Sequence, residues 1–236
     1  MKKTFTLIAL VFAAFAAKAQ TNVITNGDLS GSDMTNFVTW NWSGEGGASY
    51  KGASKVVDGA IKVEVRSEET ARAAGNATLS NDNFADWDSQ FFITWGEDKA
   101  LAEGDKIQLK MKIKADAAAT VGTQSHNVPG GYINWYCVGD VAFTTDWANY
   151  QSAETEAGSG FGKASIGTHT IAFNLAKGPE NNFYFDDIEL WLTQQSTGIT
   201  TILSVGDAPR YNLLGQKVDA NYKGIVIING KKVIVK

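Results

Sequence analysis

The chain has 236 residues, with 21 Lys and Arg against 25 Asp and Glu and a formal charge of −4 at pH 7. An acidic balance argues against a nucleic-acid partner, which requires a basic face. Cys137 is the only cysteine, so no internal disulfide is available, and this residue is read as a small buried hydrophobe.

Lys2 and Lys3 precede an apolar run from Phe5 to Ala16, and Ala17-Lys18-Ala19 ahead of Gln20 has the form of a cleavage site. Residues 1–19 are therefore expected to be a secretory signal peptide, and the product to be secreted or held at the cell surface. The run is shorter than the roughly 20 residues of a membrane helix, and no other segment approaches that length, so no membrane span is expected. Its removal leaves 18 basic and 25 acidic residues, or −7. The residues from Ala208 onward hold +5 of this and the body −12.

Past residue 20 helix signals are nearly absent and strand signals recur about every ten residues, the spacing of a sandwich. In chain order the runs are Ile61 to Val65, Phe91 to Trp95, Ile107 to Lys114, Tyr132 to Val138, Val141 to Thr144, Thr168 to Leu175 and Phe183 to Leu192. Ile107 to Lys114 alternates apolar and polar residues without a fault, which predicts one buried and one wet face. Gly44-Glu45-Gly46-Gly47, Glu103-Gly104-Asp105, Pro129-Gly130-Gly131 and Gly158-Ser159-Gly160 supply turns. In the last run, alternation puts Phe183, Phe185, Asp187 and Glu189 on one face and Tyr184, Asp186, Ile188 and Leu190 on the other. Neither face is purely apolar, so one acid is expected to meet a cation or a donor.

The polar Gln194-Gln195-Ser196-Thr197-Gly198 ends the pattern, which places a sandwich over 20–193 and a linker over 194–207. The remaining residues, 208–236, contain Asn229-Gly230 between two β-branched runs, a strong hairpin signal. A unit this small cannot be stable by burial alone, so it is expected to dock, assemble or be recognised.

Asn181-Asn182-Phe183-Tyr184-Phe185-Asp186-Asp187-Ile188-Glu189-Leu190-Trp191 resembles the closing strand of carbohydrate-binding modules related to families 4, 9 and 22. Ile24-Thr25-Asn26-Gly27-Asp28-Leu29-Ser30 is similar to the family opening, and Trp40 and Trp42 fall at its early core aromatic. Asp86 to Ile93, the Ile107 to Lys114 strand with Ala115-Asp116, and Phe143 to Tyr150 follow in family order. The resemblance implies an all-β fold, a galactose-binding-like jelly-roll β-sandwich, followed here by the small C-terminal β-hairpin unit. It also implies a structural calcium on Asp186, with backbone carbonyls and Asp28 or Asp58 as further ligands. The family's opening Glu is Ser30 here, a poorer ligand for a hard cation. The alternative is that Asp186 accepts backbone N–H bonds and holds no ion. Tyr211 to Val218 and Gly224 to Val235 resemble the C-terminal sorting domain of the type IX (Por) secretion system of Bacteroidetes, which implies secretion or surface-attachment machinery as a partner of the tail.

Thr123 to Tyr136 resembles the binding-face segment of modules found with Bacteroidetes xylanases, which implies a polysaccharide ligand such as xylan or another hemicellulose. Sugars present flat C–H faces and rings of hydroxyls, so a site for them combines aromatic platforms with amides and imidazole. Gln90, Gln124, His126 and Asn134 supply the polar groups, and Trp87, Tyr132, Trp135 and Tyr136 the rings, with Tyr132 and Tyr136 favoured over Trp135. In the Tyr132 to Cys137 run, Ile133, Trp135 and Cys137 share the opposite face and read as core. Trp40, Trp42, Trp147 and Trp191 are also expected in the core. No nucleophile elbow, zinc pair or phosphate loop occurs, and Glu68, Glu69, Glu154 and Glu156 read as solubilising charge in polar loops, so no enzyme is expected. The rival readings are a surface structural or adhesion protein that has lost sugar binding, and a polysaccharide-degrading enzyme on the same fold.

Overall fold

The structure is a computed structural model that describes residues 20–41, 50–73, 85–176, 178–195, 199–200, 209–219, 221–228 and 231–235. The signal segment, the Gly44 to Gly47 turn, Trp42, most of the linker and the Asn229-Gly230 turn lie outside the described residues. In chain order the strands are β1 (Thr21–Asn22), β2 (Phe37–Asn41), β3 (Tyr50–Ala53), β4 (Val56–Val57), β5 (Ala60–Val65), β6 (Ser89–Thr94), β7 (Lys106–Ala115) and β8 (Ala119–Val121). They continue with β9 (Thr123–His126), β10 (Tyr132–Asn134), β11 (Val141–Phe143), β12 (Ala148–Gln151), β13 (Thr155–Glu156), β14 (Thr170–Asn174) and β15 (Asn181–Thr193). One helix, α1 (Glu68–Ala73), stands where the sequence predicts a polar loop, and Glu68 and Glu69 occupy its first turn, where acids favour the helix dipole.

Two antiparallel sheets face each other as a jelly-roll sandwich. The first runs β12-β7-β15-β5-β4, with β1 on β15 and β13 on β7; the second runs β10-β9-β14-β6-β2-β3. Strands of period two turn alternate residues inward, and the inward rows meet between the sheets. Phe91 of the second sheet lies 4.2 Å, centroid to centroid, from Phe185 of the first, and Phe173 lies 5.6 Å from the same ring. All three are fully buried. Truncating any one to Ala costs about 3–5 kcal/mol at a site that cannot collapse. Cys137 is buried here too, and burial pushes its thiol up to about 12, so it stays protonated and inert.

The closing strand departs from simple alternation, and the departure explains its acids. Opposite β7, Asp186 pairs with Lys112 and Glu189 with Lys110, so β15 spends one extra residue in a β-bulge. Asp187 takes the left-handed conformation at φ 46°. One inserted residue flips the alternation, returning Ile188, Leu190 and Leu192 to the core beside Phe183 and Phe185. The expected split into two mixed faces is thus corrected: the acids form the bulge, and the apolar row is continuous across it. Lys112 Nζ lies 2.6 Å from Asp187 Oδ2, and Asp187 N–H donates to Asp186 Oδ1 at 2.8 Å. Opposite the bulge, Ile188 N–H donates to Gly27 O at 2.8 Å. A Cβ on Gly27 would sit 1.7 Å from Ile188 O, so the opening segment approaches only because that residue is glycine.

The C-terminal strands are β16 (Ile199–Thr200), β17 (Arg210–Tyr211), β18 (Lys217–Val218), β19 (Gly224–Ile228) and β20 (Lys231–Val235). They form a sheet of order β16-β20-β19-β17-β18, in which β19 and β20 are the expected antiparallel hairpin and β16 joins β20 in parallel. Among the described residues its buried cluster is Val226, Ile228 and Val233, with Val218 packed against it.

Candidate functional site

The outward rows of the two sheets differ in kind. On the first sheet the outward side chains of β5, β7 and β15 include Lys62, Glu64, Lys106, Lys110, Lys112, Lys114, Asp186 and Glu189, the polar row expected of a wet sheet. Lys62 bonds Glu64 and Lys106 bonds Glu154, each at 2.6 Å. Trp191 lies on this side with Lys110 Nζ 5.5 Å from its ring, and Trp147 is exposed beside Tyr184. The placement of these two tryptophans in the core is therefore corrected: both sit outside it, where lysine stems and rings cover one another.

On the second sheet the register aligns Lys51, Trp40, Gln90 and Asn174 in one outward row and Ala53, Val38, Phe92, Ala172 and Gln124 in the next. Thr94, Thr170, His126 and Tyr132 make the third. Lys51 is the one ionised group in these rows, and its Nζ lies 4.0 Å from the Trp40 ring centroid. Trp40 thus belongs to this outward face and not to the inter-sheet core. Aromatic rings follow one another across the strands: Trp40 to Phe92 at 5.4 Å, Phe92 to His126 at 5.6 Å and His126 to Tyr132 at 5.8 Å, all edge to face.

Beside the rings runs a belt of amides. Gln90 Nε2 donates to Asn174 Oδ1 at 2.8 Å and to Gln124 Oε1 at 3.4 Å. His126 Nε2 lies 3.1 Å from the same Gln124 Oε1. An amide oxygen only accepts, so Nε2 carries the imidazole proton and Nδ1 is the lone-pair nitrogen. That Nδ1 is buried and meets no partner at hydrogen-bond geometry among the described residues, and the Val128 backbone only partly offsets the effect of burial. With 2% of its surface exposed, His126 has its pKa pushed down by burial to about 4 and is neutral above pH 5. Gln90 is 6% exposed, whereas Tyr132 is 56% exposed and Gln124 is half-buried. The turn between β9 and β10 covers part of this face. Asn127 N–H donates to Gly131 O and Gly131 N–H to Val128 O, and a Cβ on Gly130 would lie 2.2 Å from the Trp40 ring.

Of the sequence candidates, Gln90, Gln124, His126 and Tyr132 thus share one face. Trp87 is exposed on the turn Asp86–Asp88, three residues before Gln90. Asn134 and Tyr136 leave the face, because β10 stops at Asn134 after a register shift. Asn134 Oδ1 accepts from Trp135 N–H at 2.8 Å and turns the chain, so Trp135 is 58% exposed, which corrects its expected place in the core. Sequence reasoning missed Phe92 and Asn174, whose signal was their place in runs that alternate against core residues. Trp95 is buried with its Nε1–H on Lys99 O.

The metal candidates converge only in part: Asp28 lies beside the bulge that carries Asp186, and Asp58 lies on another turn. Asp58 is the left-handed residue of the turn between β4 and β5, at φ 53°. Asp28 accepts from Ser30 Oγ at 3.0 Å and lines a groove of about 480 Å³ with Asp187 and Glu189. Asp186 accepts from backbone, and the ammonium of Lys112 already holds Asp187. Among the described residues no three His, Cys, Asp or Glu side chains are placed to hold a metal together. Calcium takes six to eight oxygens, so an ion here needs backbone carbonyls beside these carboxylates.

No family model and no curated protein matches the chain. Among solved structures it is similar to a CBM4 structure, at 17% identity over 72% of this chain and 99% of that one, with a TM-score of 0.44. A second is the second N-terminal cellulose-binding domain of Cellulomonas fimi β-1,4-glucanase C, at 14% identity over 77% and 99% and a TM-score of 0.46. A third is a variant of CBM29-2, a family 29 carbohydrate-binding module, at 11% identity over 75% and 87% and a TM-score of 0.44. At these identities and TM-scores the likenesses carry no functional weight. No helix among the described residues is long and apolar enough to cross a membrane.

Proposed function

We propose that this chain is a non-catalytic carbohydrate-binding protein whose second sheet holds a neutral polysaccharide, a plant hemicellulose such as xylan, along its outward face. One observation carries the reading: the rows of that face hold rings and amides and a single ionised group, Lys51, while the other sheet is studded with lysines and acids. An outward sheet face with a single charge at its edge suits a ligand that is itself uncharged, amphipathic and rich in hydroxyls. Rings stack on the C–H faces of the sugar, and amides exchange hydrogen bonds with its hydroxyls. Tyr132 and Gln124 stand at the solvent side and are the first to meet it, whereas Gln90, Asn174 and His126 hold them in register. In this proposal export through residues 1–19 and surface attachment through the basic tail bring the protein to its substrate. In the same proposal the acids of the β15 bulge work through Lys112 and the Asp187 N–H, without calcium.

Retardation on gels containing xylan or β-glucan tests the reading. The wild type is expected to be held back on at least one of them, and Tyr132→Ala to lose about tenfold in affinity, roughly 1.4 kcal/mol, with its fold intact. Release of reducing sugar by the purified chain would instead favour an enzyme.

A further inference from the structure

We propose that Trp135, Tyr136 and Phe161 form a second sugar-stacking site, which takes a pyranose ring of the same neutral polysaccharide where the chain runs off the β10 edge of the sheet. The proposal rests on the reading of the outward face as sugar-binding. It adds a place that the face itself does not include.

Single exposed apolar residues are ordinary, but large rings in mutual contact at the surface mark a binding surface. Phe161 is 88% exposed, and its ring lies 5.9 Å from Trp135 and 6.4 Å from Tyr136, with Trp135 and Tyr136 6.2 Å apart. They border a hollow of about 360 Å³, completed by Asn134, Gly160 and Gly162, and no charged side chain lines it. The rings are held in place from below. Asn134 Oδ1 fixes Trp135 N–H, and Ser125 Oγ–H donates to Tyr136 O at 2.7 Å. The Phe161 loop is closed at its base by Gly158 N–H on Ala164 O at 2.9 Å and by the bridge between Ala157 and Ala164, both fully buried.

These features select the ligand. An uncharged, ring-lined hollow suits a neutral molecule with an apolar face, and the Asn134 Nδ2 makes no hydrogen bond among the described residues, so it can donate to a hydroxyl. Centroids about 6 Å apart leave no room for a further ring between two of them, which needs roughly twice the 3.5–4.0 Å of a carbon contact. The trio is therefore a platform and not a clamp. Tyr132 and Asn134 are two residues apart on β10, a rise of about 7 Å, so one extended sugar chain can touch both the face and the platform.

Calorimetric titration of the full chain with short and long neutral oligosaccharides of the polymer that retards it tests this, using wild type, Tyr132→Ala, Trp135→Ala and Phe161→Ala. Tyr132→Ala is expected to weaken binding at every length. Trp135→Ala and Phe161→Ala are expected to keep the affinity for short oligosaccharides and to lose about tenfold for long ones. Phe161, being almost wholly exposed, can be truncated without disturbing the fold, so it decides the matter if Trp135→Ala is unstable. Wild-type affinity for long chains in Phe161→Ala, alongside a weakened Tyr132→Ala, would overturn the platform and leave the face standing. No sugar binding by the wild type would sink both. A wild-type dimer that Phe161→Ala converts to monomer, read by sedimentation, would show that the platform joins two copies of the chain and would also overturn it.

Discussion

His126 shows how a side chain of the face is conditioned by its neighbours. Its Nε2–H is committed to Gln124 and its ring is packed between Phe92 and Tyr132, so burial holds it neutral with a pKa near 4. In the unfolded chain the same imidazole titrates near 6.5. As pH falls, the unfolded state takes the proton first, so the stability linked to this residue is complete above about 6.5 and is lost as pH falls toward 4. The loss is at most about 3 kcal/mol. Denaturant unfolding of wild type and His126→Gln at several pH values should show a steeper decline for wild type across that window; parallel curves would contradict the burial. Trp135 and Phe161 show what was illegible at this scale. The alternation that predicted Trp135 inward was carried across a register shift set by Asn134 and the partner strand β9, which local pattern cannot see. Phe161 had a readable signal, an aromatic flanked by glycines and away from any strand, but a lone ring in a turn announces no partner.

Among the elements, β7 was readable because its period-two pattern runs unbroken from Lys106 to Ala115 and every inward position is buried. β15 was readable as a strand and misread in its faces, since its bulge is fixed by contacts distant in sequence: Lys112 on one side and Gly27 on the other. Two measurements follow at this scale. Gly27→Ala is expected to destabilise the chain by about 2–4 kcal/mol, because the added Cβ meets a backbone oxygen that cannot rotate away. A change below 1 kcal/mol, judged against the general scatter of surface substitutions, would show that the close approach is absent. Chelation is the second. With Lys112 and the Asp187 N–H bonded to the acids of the bulge, the melting temperature should be the same with and without EDTA, and a fall in EDTA would restore the calcium that the family resemblance implied.

For the whole molecule, strand spacing and turn chemistry made the sandwich legible, because two-sheet burial leaves a period-two trace in every strand. The sequence also pointed to Gln90, Gln124, His126 and Tyr132, which the register gathers on one face. It could not separate the two outward faces, since which strands are neighbours is decided by long-range pairing. One sheet turns charge to solvent, and the other turns out the rings and amides of the face proposed to hold a neutral sugar. The direct measurement is a calorimetric titration of the full chain with neutral hemicellulose oligosaccharides at low and at high salt, for wild type and Tyr132→Ala. Wild type should bind with an affinity that does not change with ionic strength, because almost no charge takes part, and Tyr132→Ala should bind about tenfold more weakly. Binding that collapses in salt, or a Tyr132→Ala titration indistinguishable from wild type, would contradict a neutral, aromatic sugar-binding face.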